Sequence, residues 1–252
     1  MDKKYWNQVA ENYDSEIFDV LAHDNKNLIT SRIEMLSSVS HNAADLGCGI
    51  GKFLPVLSGC FSHVYAYDIS ERCIEQARQN ARELTNIEFI RTDLARPLTK
   101  MPAVDFILCV NSLIMPSMSQ RTRYLRLMRD HLRQSGHLIL VVPSLESALY
   151  SRMQLIAWNI RRGLSHGTAV RAGTNGSGNP KAVRLQQGIV NLDHIPTKHY
   201  LEVELCATLG ELGFELYEIT KIEYDWKTEF SDPPRWMKSP YPWDWLVTAR
   251  KC

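Results

Sequence analysis

Between residues 63 and 142 short apolar runs alternate with helical periodicities, and this alternation restricts the fold more than any other feature of the chain. HVYAYD (63–68), IEFIR (87–91), VDFILCV (104–110) and HLILVV (137–142) have the length and character of strands. The last is nearly continuous in apolar residues, as a strand buried on both faces requires. Between them, Ser70 is placed to cap a helix whose apolar face carries Ile74, Ala77 and Ala81. Ser119 opens a second helix carrying Leu125, Met128 and Leu132, with Gly136 as its stop. Strands and helices in this rhythm predict a parallel sheet covered by helices on both sides. Ligands of such sheets bind at the carboxyl ends of the strands. Asp68, Asp93, Asn111 and a glycine-rich turn all follow predicted strands, so they are expected to share one crevice.

That turn lies in AADLGCGIGKF (43–53). A phosphate-binding loop needs G-x-x-x-x-G-K-[ST]; Gly47 to Gly51 is one residue too short, and Phe53 replaces the hydroxyl. A dinucleotide turn needs G-x-G-x-x-G, and Lys52 stands at the third glycine. The pattern D-x-G-x-G-x-G, met by Asp45, Gly47, Gly49 and Gly51, suits S-adenosylmethionine. That molecule has no phosphates, so the turn need only let the backbone approach closely. An acid such as Asp45 complements its cationic amino group, and free N–H groups at a helix start receive its carboxylate. Asp68, one strand over, is placed to accept both ribose hydroxyls. Ile69 lines an apolar slot for adenine, and Asp93 accepts from the adenine amino group. Each acid has a plainer role open to it: Asp45 bracing the turn, Asp68 capping a helix, Asp93 shaping a loop. Cys48 and Cys109 read as packing residues.

From about residue 40 to its end the chain resembles the class I S-adenosylmethionine-dependent methyltransferases. DLGCGIG resembles their first motif, YDIS (67–70) their ribose-binding acid and TDL (92–94) their adenine contact. VNSLIMP (110–116) resembles the strand-four loop that faces the sulfonium, and HYLEVELCATLGELGF (199–214) the late helix. YWNQVAENYD resembles the leading helix of small-molecule members related to quinone-biosynthesis methyltransferases, a helix that closes over the cofactor. The resemblance implies an α/β, Rossmann-like, doubly wound seven-stranded sheet, mostly parallel with an antiparallel last strand. Residues 1–252 would form one domain, with 1–40 as a helical cap and 143–198 as an insertion or lid beside the acceptor pocket. The implied cofactor is S-adenosyl-L-methionine, held by Trp6, Tyr13, Asp45, Gly47, Cys48, Gly49, Gly51, Asp68, Ile69, Asp93, Leu94, Val110 and Asn111, with no metal. The implied reaction is in-line transfer of a methyl group to an oxygen or nitrogen atom of a small-molecule acceptor. The rival readings are a non-catalytic S-adenosylmethionine-binding scaffold or regulatory partner and, more remotely, an oxidoreductase.

His194 and His199, in NLDHIPTKHY (191–200), are the candidate general bases, because imidazole titrates near neutral pH, although a loop histidine is more often a surface residue. Asn111 is followed by Ser112, Leu113 and Ile114, which departs from the NPPY motif of methyltransferases acting on base amino groups and amides.

The flanks are less regular. Tyr5, Val9 and Tyr13 recur at helical spacing beside Trp6, and a second helix is expected over about 24–38. After Ser144, a helix is expected with Leu145, Leu149, Met153, Ile156 and Ile160 on one face, stopped by Gly163; GTAVRAGTNGSGNPK (167–181) is expected to be mobile. From Ser151 to Arg184 there is no acid, while Arg152, Arg161, Arg162, Arg171, Lys181 and Arg184 are present. A solvated lid, an anionic acceptor and an anionic membrane surface each account for that bias. A helix over 199–213 and strands at 214–222 and 245–250 close the chain, with a Trp- and Pro-rich stretch at 226–245.

The 29 basic and 28 acidic residues leave a net charge of +1, which argues against a nucleic-acid partner. No signal peptide or membrane span is read, and six cysteines without a CxxC pair suggest neither zinc nor disulfides. The expectation is a reduced, cytoplasmic protein of open oligomeric state.

Overall fold

The computed structural model describes residues 3–13, 17–96, 101–173, 185–192 and 195–252. The N-terminal segment is helical: α1 (Lys3–Val9) with a 3-10 turn at Ala10–Asn12, then α2 (Val20–His23) and α3 (Leu28–Leu36). The helix expected over about 24–38 spans Leu28–Leu36 and starts later because Asp24 stands ahead of it. Its carboxylate accepts from the N–H of Ile29 at 2.8 Å, at the first turn of α3.

Strands and helices then alternate: β1 (Asn42–Leu46), α4 (Leu54–Cys60), β2 (His63–Asp68), α5 (Glu71–Asn80), β3 (Ile87–Arg91), β4 (Val104–Val110), α6 (Met118–His131) and β5 (Leu132–Pro143). The Ser70 hydroxyl accepts from Cys73 N at 3.2 Å and starts α5 as its sequence predicts. α6 begins one residue before Ser119, with Ser117 at its N-cap. Gly136 does not stop it. The helix ends at His131 and Gly136 lies inside β5, where a Cβ would sit 2.9 Å from the carbonyl oxygens of Arg133 and Asp105. The glycine therefore serves the close approach of β5 to β4.

The sheet order is β3-β2-β1-β4-β5, continued by β9 (Trp243–Lys251) and β8 (Phe214–Glu223). The first five strands pair in parallel, while β9 runs antiparallel to both β5 and β8. This is the expected seven-stranded sheet with its antiparallel last strand. Strand residues alternate between two cores, Phe106 and Leu108 on one side and Ile107 and Cys109 on the other. One core takes Ile29, Ile33, Leu54 and Leu57 from helices, and the other takes Tyr124, Met128, Leu205 and Leu209. Chain order reverses between β1 and β4, so the loops after these two strands flank the crevice of the sheet.

Between β5 and β8 lie α7 (Leu145–Arg161), α8 (His166–Gly173), the hairpin β6 (Ile189–Leu192) and β7 (Ile195–Lys198), and α9 (Glu202–Glu211). Ser144 caps α7 by accepting from Ser147 N at 3.1 Å, and Gly163 follows the helix at φ +90°. Its buried side is not the apolar face. Leu145 is buried together with Ser147, Ser151 and Asn159, whereas Leu149 and Met153 are 40% and 66% exposed. Residues 166–173 form α8, which takes in the start of the stretch expected to be mobile; the remainder of 167–181 lies outside the described residues. Among the described residues no helix is long and apolar enough to cross a membrane.

Candidate active site

The glycine turn is bound to the tip of β2. Gly47 N and Cys48 N both donate to Tyr67 O at 2.8 Å. Gly47 has φ +82° and Gly49 φ +54°, and a Cβ on either would collide with a neighbour: the Ser112 side chain at Gly47, the Tyr13 hydroxyl at Gly49. These two glycines thus let the strand-four loop and the N-terminal segment close onto the turn. Gly51 N donates to Cys48 O at 2.9 Å and supports the turn from behind.

Two buried carboxylates flank this turn. Asp68, the last residue of β2, accepts from Gly49 N at 3.0 Å through Oδ2 and from Ser70 N at 2.7 Å through Oδ1. Burial pushes its carboxyl upward, and the N–H groups of Ser70, Gly49 and Ile69 oppose that push. Asp45 lies on β1 with Oδ2 buried and without a hydrogen-bond partner. Burial first, and the nearby Asp68 second, raise its carboxyl to about 7. A buried acceptor left unpaired is costly, and a cationic ligand group would relieve it.

These residues open into a cleft of about 1290 Å³. Trp6, Tyr13, Asp45, Gly47, Cys48, Asp68, Ile69, Asp93, Leu94, Val110 and Asn111 line it, so the structure brings together most of the residues singled out by sequence. Gly49 and Gly51 shape the turn without being part of the lining. Asp93 accepts from Ala95 N at 3.0 Å and pairs with Arg96 at 3.1 Å, which fixes the turn at the cleft edge. Trp6 and Tyr13 are delivered by the N-terminal segment, which docks on α5. Ser70 Oγ donates to Asn7 Oδ1 at 2.8 Å, Gln76 Nε2 donates to Ala10 O at 2.9 Å, and Arg72 pairs with Glu11.

His199 stands apart from the cleft. It is buried behind the strand-four loop, with Nδ1 3.1 Å from Thr197 O and its own N–H donating to Gly188 O. Burial lowers its imidazole to about 4, so it is neutral at pH 7. His194 lies outside the described residues.

Several lining residues escaped sequence reasoning. Ser112 and Tyr124 place their hydroxyl oxygens 2.9 Å apart. Lys52 reaches Asp19 at 2.5 Å, so the lysine after the glycine turn ties the N-terminal segment to it. Ser112 was within reach as the neighbour of Asn111. Tyr124 was not, because it comes from the middle of α6. Asn111 itself adopts φ +47° and donates through Nδ2 to Asp244 Oδ2 at 3.0 Å.

An unpaired acid beside a tight turn, a second acid held rigidly one strand over, and apolar Ile69 and Leu94 nearby fit the amino group, ribose and adenine of S-adenosylmethionine. Comparison with known proteins points the same way. Residues 43–136 match the family model of a methyltransferase domain. No curated protein matches the chain in sequence. Among solved structures, the N-methyltransferase NodS from Bradyrhizobium japonicum WM9, in complex with S-adenosylhomocysteine, is 15% identical, with 98% of each chain covered and a TM-score of 0.60. Magnesium protoporphyrin IX methyltransferase (ChlM) from Synechocystis PCC 6803, with S-adenosylhomocysteine bound, is 16% identical, with 99% of this chain and 97% of that one covered and a TM-score of 0.59. A methyltransferase from Methanosarcina mazei is 18% identical over 87% of this chain and 96% of its own, with a TM-score of 0.61. At these identities the structural likeness establishes the fold.

Proposed function

We propose that this chain is a class I S-adenosylmethionine-dependent methyltransferase that methylates an oxygen or nitrogen atom of a small-molecule acceptor, a reading supported by the methyltransferase domain matched at 43–136 and the fold around it. The observation that carries the reading is the pairing of Asp45, whose Oδ2 is buried without a partner, with Asp68, which Gly49 and Ser70 hold at the same turn.

S-adenosylmethionine supplies a methyl group on a sulfonium, an activated leaving group. The chain's own residues need to bind, orient and exclude water. Asp68 accepts from the ribose hydroxyls, each charge-assisted hydrogen bond contributing on the order of 1.5–3 kcal/mol. Asp45 receives the amino group. Ile69 and Leu94 flank the adenine, with Asp93 at its edge. Trp6 and Tyr13, carried by the cap at 1–40, screen the site from water. Asn111 and Ser112, after β4, face the acceptor side.

A small acceptor suits a cleft of this size on a nearly neutral chain better than a polymer does. Arg72, Arg91, Arg96 and Lys52 line the cleft, and they pair with Glu11, Glu71, Asp93 and Asp19 respectively. Paired in this way, they favour an acceptor without a strong negative charge. The end of the 143–198 insertion backs the acceptor side. Lys198 N donates to Ile114 O at 2.9 Å, and the Tyr200 hydroxyl just beyond donates to Leu113 O at 2.7 Å. One neighbour is named for nitrogen methylation and another for a porphyrin, which supports a small acceptor for this fold.

Calorimetry with S-adenosylmethionine, S-adenosylhomocysteine and NAD tests the reading. Binding of the first two is expected; binding of NAD alone would overturn it.

A further inference from the structure

α7 turns small polar side chains inward and large apolar ones outward. Beyond Leu145 its buried residues are Ser147, Ser151 and Asn159, while Leu149 and Met153 face solvent. The Ser147 hydroxyl accepts from Trp243 N at 2.8 Å, which accounts for a serine on the inner side. It leaves the leucine and the methionine bare. Leu149, Met153 and Ile160 recur at i, i+4 and i+11, so they lie on one stripe of the helix. α8 packs beside that stripe, where a Cβ on Gly173 would meet Ile156, and its Val170 is 46% exposed. Trp236, 37% exposed, adds an indole at the end of α7.

The charge of the two helices has one sign along this surface. Residues 151–173 hold Arg152, Arg161, Arg162 and Arg171 and no acid. Arg161 and Arg162 are exposed where α7 ends, Arg161 over the ring of Trp236 at 3.9 Å and Arg162 over that of Trp158 at 5.8 Å. Among the described residues neither forms an ion pair with a carboxylate. Of the acids at the margin, Glu146 accepts from Glu202 N and from the indole of Trp245. Asp232, in the loop that carries Trp236, is accompanied there by exposed Arg235 and Lys238.

Three kinds of occupant meet this surface differently. A second copy would press arginines against arginines, because a two-fold contact uses the same patch on both subunits. A nucleic acid would take up the arginines and leave Leu149, Met153 and Val170 uncovered. An anionic bilayer satisfies both features: apolar side chains enter the acyl boundary, while arginines and an indole stay at the level of the phosphates. We propose that the outer side of α7, with Val170 and Trp236, is a docking surface for an anionic phospholipid bilayer, on which the chain lies without crossing it. This goes beyond methyl transfer and does not depend on it.

The test sediments the full chain with vesicles of phosphatidylcholine, either alone or mixed with phosphatidylglycerol. Partitioning onto the mixed vesicles should exceed that onto the neutral ones by about tenfold or more and should fall as salt is raised. Arg161→Gln combined with Arg162→Gln should weaken it about tenfold or more, and Met153→Ser about threefold or more. All three positions are exposed or partly exposed on the helix surface, so circular dichroism and affinity for S-adenosylhomocysteine should stay unchanged. If the arginine pair does not fold, Met153→Ser and the salt dependence decide. Equal partitioning onto both kinds of vesicle overturns the proposal, as does partitioning unchanged in every folded variant. A dimer lost in Met153→Ser, without vesicle binding, would assign the surface to a second copy. RNA binding lost in the arginine pair, again without vesicle binding, would assign it to a nucleic acid. Either result overturns the proposal.

Discussion

The two halves of the cleft are built differently. On the proposed cofactor side, Asp45, the glycine turn and Asp68 come from one stretch of chain, β1 to β2, and backbone N–H groups tie the turn to Tyr67 and Asp68 at 2.7–3.0 Å. On the proposed acceptor side, Asn111 donates to Asp244, which also accepts from Tyr224, both from the far end of the chain, and Lys198 N donates to Ile114 O behind the strand-four loop. A local design makes one ligand site recognisable from a short motif. A long-range design leaves the other free to vary with its acceptor, because no neighbouring residue fixes it.

The sharpest way to break this contrast is Gly47→Val. The φ of +82° and the collision with Ser112 are both local, so cofactor binding should be lost, as calorimetry would register. If binding survives, the turn is not the tight constraint described. Asp68→Ala comes next. Cofactor affinity should weaken by about 1.5–3 kcal/mol with the fold intact by circular dichroism; unchanged affinity would remove Asp68 from the site.

Asp45 adds a pH dependence. Burial raises its carboxyl to about 7, so the ligand-free site is protonated below that pH and cannot attract a cation. Affinity for S-adenosylmethionine should rise as pH passes from about 6 to about 8, and Asp45→Asn should flatten the profile. The stability of the ligand-free fold runs the other way. A carboxyl raised above its unfolded value stabilises below the unfolded pKa, and that contribution is lost as pH rises through about 7. Asp45→Asn should therefore raise the melting temperature at alkaline pH; a lowered one would contradict the assignment.

The smallest effect separates a buried from an exposed position on the apolar face of α7. Leu145→Ala should cost about 2–4 kcal/mol in denaturant unfolding, and Met153→Ala no more than about 0.5 kcal/mol. Equal costs would mean that Met153 is covered.

The same contrast explains what the sequence revealed. The β–α alternation was legible because parallel strands covered on both faces are continuous in apolar residues, as HLILVV is. The cofactor turn was legible because its constraint is steric and acts between neighbours. Which side of α7 is covered was not legible. Periodicity identifies a helix, but which face is covered depends on distant partners. Here Ser147 takes the N–H of Trp243 at 2.8 Å, and Ile156 lies where a Cβ on Gly173 would be. Gly136 was misread as a helix stop because its reason for being glycine lies across the sheet, at Asp105. His199 drew attention by residue type, yet its burial in a loop against Thr197 gives it no reach into the cleft.

The most direct measurement is a crystal structure with S-adenosylhomocysteine. It should place the ribose hydroxyls on the Asp68 carboxylate and the amino group on Asp45 Oδ2. A ligand seated in the cleft with its ribose and amino group away from both acids would contradict the account.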